Sequence, residues 1–258
     1  MAEENRKPIL EVQDLGIDFG GLTAVNNLNM KIYPEQIDGL IGPNGAGKTT
    51  VFNMLTKVYQ PTRGKIFLEG KDLEKLNPVE ASQAGIARTF QNIRLFYNMS
   101  VIDNVKTGMH NHFHYNNFDA IFRTGRFRRE EKQADQDARE LLEIFHLSEY
   151  ADLTAGNLPY GQQRRLEIAR AMATQPKLLL LDEPAAGMNP QETEELMAMI
   201  REVRDHFKIA ILLIEHDMQL VMQICEHITV LNYGMLLAEG TPQEIQSNPD
   251  VIKAYIGD

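Results

Sequence analysis

The stretch Gly42-Pro43-Asn44-Gly45-Ala46-Gly47-Lys48-Thr49-Thr50 has the spacing G-x-x-x-x-G-K-T of a loop that holds phosphate. Its glycines let the backbone curl so that successive N–H groups point at phosphate oxygens, and a following helix adds the positive end of its dipole. Lys48 would reach the β- and γ-phosphates, and the Thr49 hydroxyl would ligate Mg²⁺. A second group of chemical residues closes the run Leu178-Leu179-Leu180-Leu181 with Asp182 and Glu183. Asp182 can hold Mg²⁺ through water, and Glu183 is placed to polarise an attacking water as general base. Helix capping is the bland alternative for two such acids, since Pro190 opens a helix shortly after. Gln91 ends an apolar segment, where an amide could ligate Mg²⁺, orient the water, or only close its own loop. His216 follows another apolar run and lies between Glu215 and Asp217, where a γ-phosphate would be.

These residues need strands and helices to bring them together. Ile37 to Ile41 reads as a buried strand before the phosphate loop, and a helix opens at Val51. Ile9 to Leu15, Leu28 to Ile32 and Lys65 to Leu68 read as strands, and Asn77-Pro78 starts a short helix. Phe19, in the link Asp18-Phe19-Gly20-Gly21-Leu22, is either an ordinary core aromatic or a ring that stacks on adenine. Gly85 to Phe90 reads as a strand ending at Gln91.

From Ser100 to about Asn157 the pattern turns helical. Val101 to Met109 is one helix, Asn111 to Arg128 is polar and irregular, and Arg129 to Phe145 carries Ala134, Ala138, Leu141, Leu142 and Phe145 on one side. Alternating His110, His112 and His114 on Asn-rich backbone make a poor metal shell. Arg123, Arg126, Arg128, Arg129 and Lys132 are followed by Glu130, Glu131 and Asp135, so they read as a solvated helix face. Leu158 to Arg165 leads into an amphipathic helix from Leu166 to Met172, with Gly161 as a second anion site at its entrance. Four consecutive leucines before Asp182 imply burial on both faces, as in a parallel sheet. A helix from Gln191 to Phe207, a strand from Ile209 to Ile214, a strand pair around Asn232-Tyr233-Gly234 and two short helices at Pro242 and Pro249 complete the chain.

The 258 residues can bury a substantial core, and 26 Lys+Arg against 36 Asp+Glu leave a formal charge of −10. That balance argues against nucleic acid as the main partner. The one cysteine, Cys225, excludes an internal disulfide and reads as a buried small side chain. The residues from Met1 to Lys7 lack an apolar signal core, and no apolar run approaches the roughly 20 residues that cross a bilayer. The chain is expected to be soluble by itself and to meet a membrane only as a peripheral partner.

The order phosphate loop, Gln91, Leu158–Gln162, Leu178–Glu183, His216 is similar to the ATPase subunits of ABC transporters over essentially the whole chain. The resemblance implies an α/β fold with a P-loop NTPase (RecA-like) core, an N-terminal antiparallel β-subdomain and an inserted α-helical subdomain. Residues 1–97 and 166–258 would form the core with its β-subdomain, and 98–165 the helical subdomain. It makes Gly42 to Thr50 the Walker A loop, Gln91 the Q-loop, Asp182 and Glu183 the end of Walker B, Gly187 to Asn189 part of the D-loop, and His216 the switch histidine. Phe19 matches the adenine-stacking position, and Tyr160, Gly161 and Gln162 the signature motif. That motif departs from L-S-G-G-Q: Pro159 replaces the serine and Tyr160 the first glycine, removing a hydrogen bond to charged phosphate of about 1.5–3 kcal/mol. Asn189 stands where many members carry aspartate.

The segments Arg88 to Phe96, Tyr160 to Arg170, Leu181 to Pro190, Leu213 to Met218 and Asn248 to Gly257 more narrowly resemble the ATPases of branched-chain amino-acid importers. Implied with them are ATP and Mg²⁺, a second ATPase subunit in a homo- or heterodimer, transmembrane permease subunits, an indirect link to a solute-binding protein, and a place on the cytoplasmic face of the membrane. A lipid or other transport ATPase, or a soluble ATPase acting on DNA or ribosomes, is the alternative. The second kind needs coiled coils or tandem domains that the sequence lacks.

Overall fold

The computed structural model describes residues 6–256. Strands β1 (Leu10–Phe19) and β2 (Leu22–Ile32) form a hairpin closed by Gly20 and Gly21, both at positive φ. It is longer than the apolar alternation suggests, because backbone pairing runs to Phe19↔Leu22 through residues that face solvent. Then come β3 (Ile37–Ile41), α1 (Lys48–Leu55), β4 (Arg63–Leu68) and the short β5 (Lys71–Asp72). The first sheet, in order β2-β1-β4-β5, is antiparallel.

Helix α2 (Pro78–Ala84) is opened by an Asn77–Glu80 capping box. It is followed by β6 (Ile86–Arg88), shorter than the Gly85–Phe90 expectation. Gly85 serves as the left-handed cap of α2 (φ 118°), and β6 is an edge strand, paired among the described residues with the strand Leu178–Asp182 alone.

Next come the helices α3 (Val101–Gly108), α4 (Asn117–Phe122), α5 (Gly125–Ile144) and α6 (Tyr160–Met172). Two of these correct the sequence reading. The segment expected to be irregular contains α4 and the first turn of α5, fixed by Asn116–Asp119 capping and by Thr124. Phe118, Ile121 and Phe122 of α4 are exposed, so no buried face marks the helix in sequence. Helix α6 begins at Tyr160 rather than Leu166, because Pro159 sits at the N-cap, where its missing N–H costs nothing. The three histidines diverge: the His110 ring meets Phe113 edge-on, His112 Nε2 lies 3.2 Å from the Thr174 carbonyl, and the His114 N–H donates to Glu130.

The remaining elements are β7 (Leu178–Asp182), α7 (Pro190–Phe207), β8 (Ala210–Ile214), α8 (Met218–Ile224), β9 (His227–Asn232), β10 (Met235–Gly240), α9 (Pro242–Ser247) and α10 (Pro249–Ile256). Gly257 of the tail that carried the narrower resemblance lies outside the described residues. The second sheet runs β10-β9-β3-β8-β7-β6 and is parallel except for the β9–β10 edge. Every residue of β3, β7 and β8 is buried, as strands covered on both faces must be. One core packs this sheet's far face against α3, α5, α6 and α7. The other joins its near face to α1 and the first sheet around Phe52, Leu10 and Leu28. This α/β arrangement is a P-loop NTPase fold, and it gathers the carboxyl ends of β3, β7 and β8 into one region.

Candidate active site

Helix α1 starts at Lys48, not Val51, so Lys48, Thr49 and Thr50 stand in its first turn. Gly47 caps that helix in left-handed backbone (φ 104°) and supplies no side-chain acceptor, which leaves the first N–H groups for a ligand. At Gly42 a Cβ would come within 2.1 Å of the Leu231 carbonyl oxygen, so the loop can pass β9 only as glycine. Lys48 is buried, and its Nζ donates to the carbonyls of Gly42 (2.6 Å) and Pro43 (3.0 Å) across the loop. Burial lowers its pKa, while Glu183 and Asp182 pull it back upward.

The two acids after β7 are held differently. Asp182, buried at the strand end, pairs through Oδ2 with Arg88 at 2.6 Å. Glu183 has left-handed backbone (φ 48°), uncommon for its type, and its N–H donates to the Ile214 carbonyl of β8. Both of its carboxylate oxygens are engaged: Gln91 Nε2 donates to Oε2 at 2.6 Å, and His216 Nε2 lies 2.5 Å from Oε1. Behind them the buried Glu215 accepts from the N–H groups of Ala185 and His216, tying the turn after β7 to the end of β8. Burial raises the Glu215 pKa. Asp217 caps α8 and takes no part in the cleft.

A cleft of about 480 Å³ joins these pieces, lined by Ala24, Asn44 to Thr50, Glu183, His216 and Tyr233. Thr49 is exposed to it. The structure thus brings the phosphate loop, Glu183 and His216 together, with Gln91 and Asp182 one contact behind. It does not bring in Phe19 or the signature residues. Phe19 is exposed and meets Tyr59 edge-on at 5.3 Å between ring centres. Tyr160 donates its hydroxyl to the Ala186 carbonyl (2.9 Å), beside Gly187, and Gly161 is buried near Glu192. Gln162 is half-buried, and neither Gly161 nor Gln162 lines the cleft.

Sequence reasoning missed three residues that hold this site. Arg164 of α6 is fully buried and donates to the carbonyls of Phe90 (2.7 Å) and Gln91 (2.8 Å) and to Glu167 (2.8 Å). Glu167 in turn accepts from the Arg94 N–H (3.0 Å). The helix that begins with Tyr160-Gly161 therefore grips the backbone on which Gln91 stands. Arg88 is the third. The available signal was a charged residue inside the apolar run Ile86-Ala87-Arg88 and two inside the apolar face of α6.

Open backbone donors, Lys48 and two hydroxyls make a donor set suited to a polyphosphate. The Thr49 hydroxyl and the Asp182 carboxylate are hard oxygen ligands of the kind Mg²⁺ takes. Comparison with known proteins agrees with that chemistry. The family described as ABC transporter matches residues 25–186, and the family described as branched-chain amino acid ATP-binding cassette transporter matches 235–258. The chain is 52% identical over 252 residues to the high-affinity branched-chain amino acid transport ATP-binding protein BraF of Pseudomonas aeruginosa, covering 98% of this chain and 99% of that one. The same figures hold for LivG of Escherichia coli, which carries the same description. Among solved structures, the ADP conformation of an ATP-binding cassette of an ABC transporter superposes with a TM-score of 0.84 at 30% identity, covering 98% of this chain and all of that one. This chain belongs to the ABC transporter family, as one of its nucleotide-binding ATPase cassettes.

Proposed function

We propose that this chain is the ATPase subunit of a membrane importer and that ATP hydrolysis at the Gly42–Thr50 cleft drives uptake of branched-chain amino acids. The observation that carries the chemistry is Glu183, whose two carboxylate oxygens are fixed by Gln91 and His216 at the edge of the phosphate-loop cleft. A carboxylate so held is a general base that cannot rotate away from a water placed against the γ-phosphate. Lys48 leaves the Gly42 and Pro43 carbonyls to meet phosphate oxygens, and Thr49 and Asp182 would hold Mg²⁺. The metal, when bound, neutralises charge that develops on the phosphates. The relatives' names support the solute class.

Tyr160, Gly161 and Gln162, turned away from this chain's own cleft, complete the ATP site of a second ATPase subunit, identical or related. Phe19 stacks on adenine at the outer end of β1. The surface from Gln91 to Phe96 contacts a permease. It borders a groove of about 580 Å³ that includes Phe90, Arg94, Leu95, Phe96 and Arg170, with Phe96 half in solvent. Since α6 clasps the same backbone through Arg164, closure around ATP is transmitted from the helical subdomain to that groove. No described helix is long and apolar enough to cross a membrane. As the ATPase of an importer, the chain works as a peripheral subunit at the cytoplasmic face, the reading that the relatives' names support.

The test is capture of tagged chain from native membranes, reconstitution of the captured complex in vesicles, and measurement of labelled leucine, isoleucine and valine uptake. ATP-dependent uptake that disappears with Glu183→Gln is expected. Co-purification with ribosomes or DNA and no membrane protein, or transport of lipid alone, would overturn the reading.

A further inference from the structure

Arg88 is a tightly held cation at the site that the ATPase mechanism leaves without a task. Its side chain is 8% exposed at the end of the edge strand β6. One terminal nitrogen donates to Asp182 Oδ2 and the other to Asn53 Oδ1 on α1, both at 2.6 Å. The guanidinium carbon lies 5.4 Å from the centre of the Phe52 ring and 5.2 Å from that of Phe90. The remaining nitrogen, Nε, is buried without a partner among the described residues. A planar fork packed by two rings and anchored at both ends is held in one orientation. The four-residue segment from Arg88 to Gln91 therefore grips both acids after β7: Arg88 holds Asp182, and Gln91 holds Glu183.

The consequence concerns charge. Asp182 is 6% exposed, so its carboxylate takes its compensation from whatever cation lies in contact. Arg88 supplies one positive charge at 2.6 Å, and a divalent ion drawn to the same carboxylate has to share it. We infer that Arg88 is a positioning residue that fixes the Asp182 carboxylate between β6 and α1 and, by partly neutralising it, sets how tightly the nucleotide site takes its divalent cation. Asn53 keeps the guanidinium in place from the α1 side. Since Asn53 lies in the helix that Lys48 and Thr49 begin, the cation site is referenced to the phosphate loop and to the Gln91 segment through one side chain.

This inference rests on Asp182 as a cation ligand, and the experiment separates the two. Binding of Mn²⁺, as the paramagnetic probe, is measured by electron paramagnetic resonance in the presence of a non-hydrolysable ATP analogue, beside kcat and KM for ATP with Mg²⁺. Arg88→Met, similar in bulk but uncharged, is expected to bind Mn²⁺ about tenfold more tightly. Its kcat should fall about tenfold or more, and KM for ATP should stay within about threefold. Arg88→Lys, which restores the charge without the fork, should return the Mn²⁺ affinity toward that of the parent and recover part of kcat. Unchanged Mn²⁺ affinity in Arg88→Met together with lowered kcat would reduce Arg88 to a structural residue and overturn the inference. Asp182→Asn is the control: if it leaves Mn²⁺ affinity unchanged, the ligand role of Asp182 fails instead. Should Arg88→Met not fold, Arg88→Gln, which keeps an amide donor but no charge, decides: Mn²⁺ binding about tenfold tighter is expected, and an affinity equal to the parent's would overturn the proposal.

Discussion

Glu183 meets solvent from left-handed backbone, gripped by Gln91 on one oxygen and His216 on the other, while Lys48 lies folded onto the loop carbonyls. Glu183→Gln keeps shape and loses basicity. We expect ATP binding within about threefold of the parent and turnover lower by about 100-fold or more, measured by nucleotide titration and phosphate release. Lys48→Ala should lose most ATP affinity; tight binding by that variant would contradict the phosphate-loop reading. Toward the other end of β3 from the phosphate loop, Asp38 is buried with Oδ1 unpartnered among the described residues, and burial, with Glu226 nearby, pushes its pKa up to about 8. The folded chain holds this proton up to about pH 8, whereas an unfolded aspartate releases it near its ordinary value of 3.8. The folded state thus binds more protons between those limits, and stability falls as pH rises through them. Asp38→Asn should raise the melting temperature at pH 8 and make little difference near pH 4, read by calorimetry. The phosphate loop, Asp182, Glu183 and His216 are legible in the sequence because each is a short linear signal at a strand end. Arg88 and Arg164 are not, since they lie 94 and 74 residues from the partners that give them meaning.

Helix α6 is only partly legible at the scale of the element. Its apolar face is plain, yet it starts six residues before the expected Leu166, because Tyr160-Gly161-Gln162-Gln163 has no apolar periodicity and Pro159 supplies the stop that defines the N-cap. Helix α4 leaves still less trace, since capping rather than burial defines it. The parallel strands β7 and β8 are the easiest elements to find, because a short, continuous apolar run bounded by turn residues matches a strand covered on both faces, whereas β3 interrupts its run with Asp38 and Gly39. What α6 does for the site depends on the buried pair Arg164–Glu167 at 2.8 Å. Arg164→Met removes the cation in contact with the buried Glu167 and leaves that charge to the neighbouring Arg170 and two backbone N–H groups, a loss of about 3 kcal/mol. For a chain of this size that is a fall in melting temperature of roughly 10 °C. The double variant Arg164→Met, Glu167→Met removes both charges and should recover part of that loss. A double variant less stable than either single one would show that the pair does more than neutralise itself.

At the scale of the whole molecule, two sheets share α1 and a common core, and the cleft opens where β3, β7 and β8 end. Lys48, Thr49, Glu183 and His216 face that opening, whereas Tyr160 lies against Ala186 on a different part of the surface. On the function proposed above, one chain holds half of an ATP site and offers the complementary half to a partner. That arrangement is tested most directly by light scattering of Glu183→Gln, purified without nucleotide and then given ATP with Mg²⁺. The measured mass is expected to double from one chain to two on adding ATP, and Gly161→Asp to abolish the doubling while ATP still binds. Saturable ATP binding with a mass that stays at one chain at every protein concentration would contradict it.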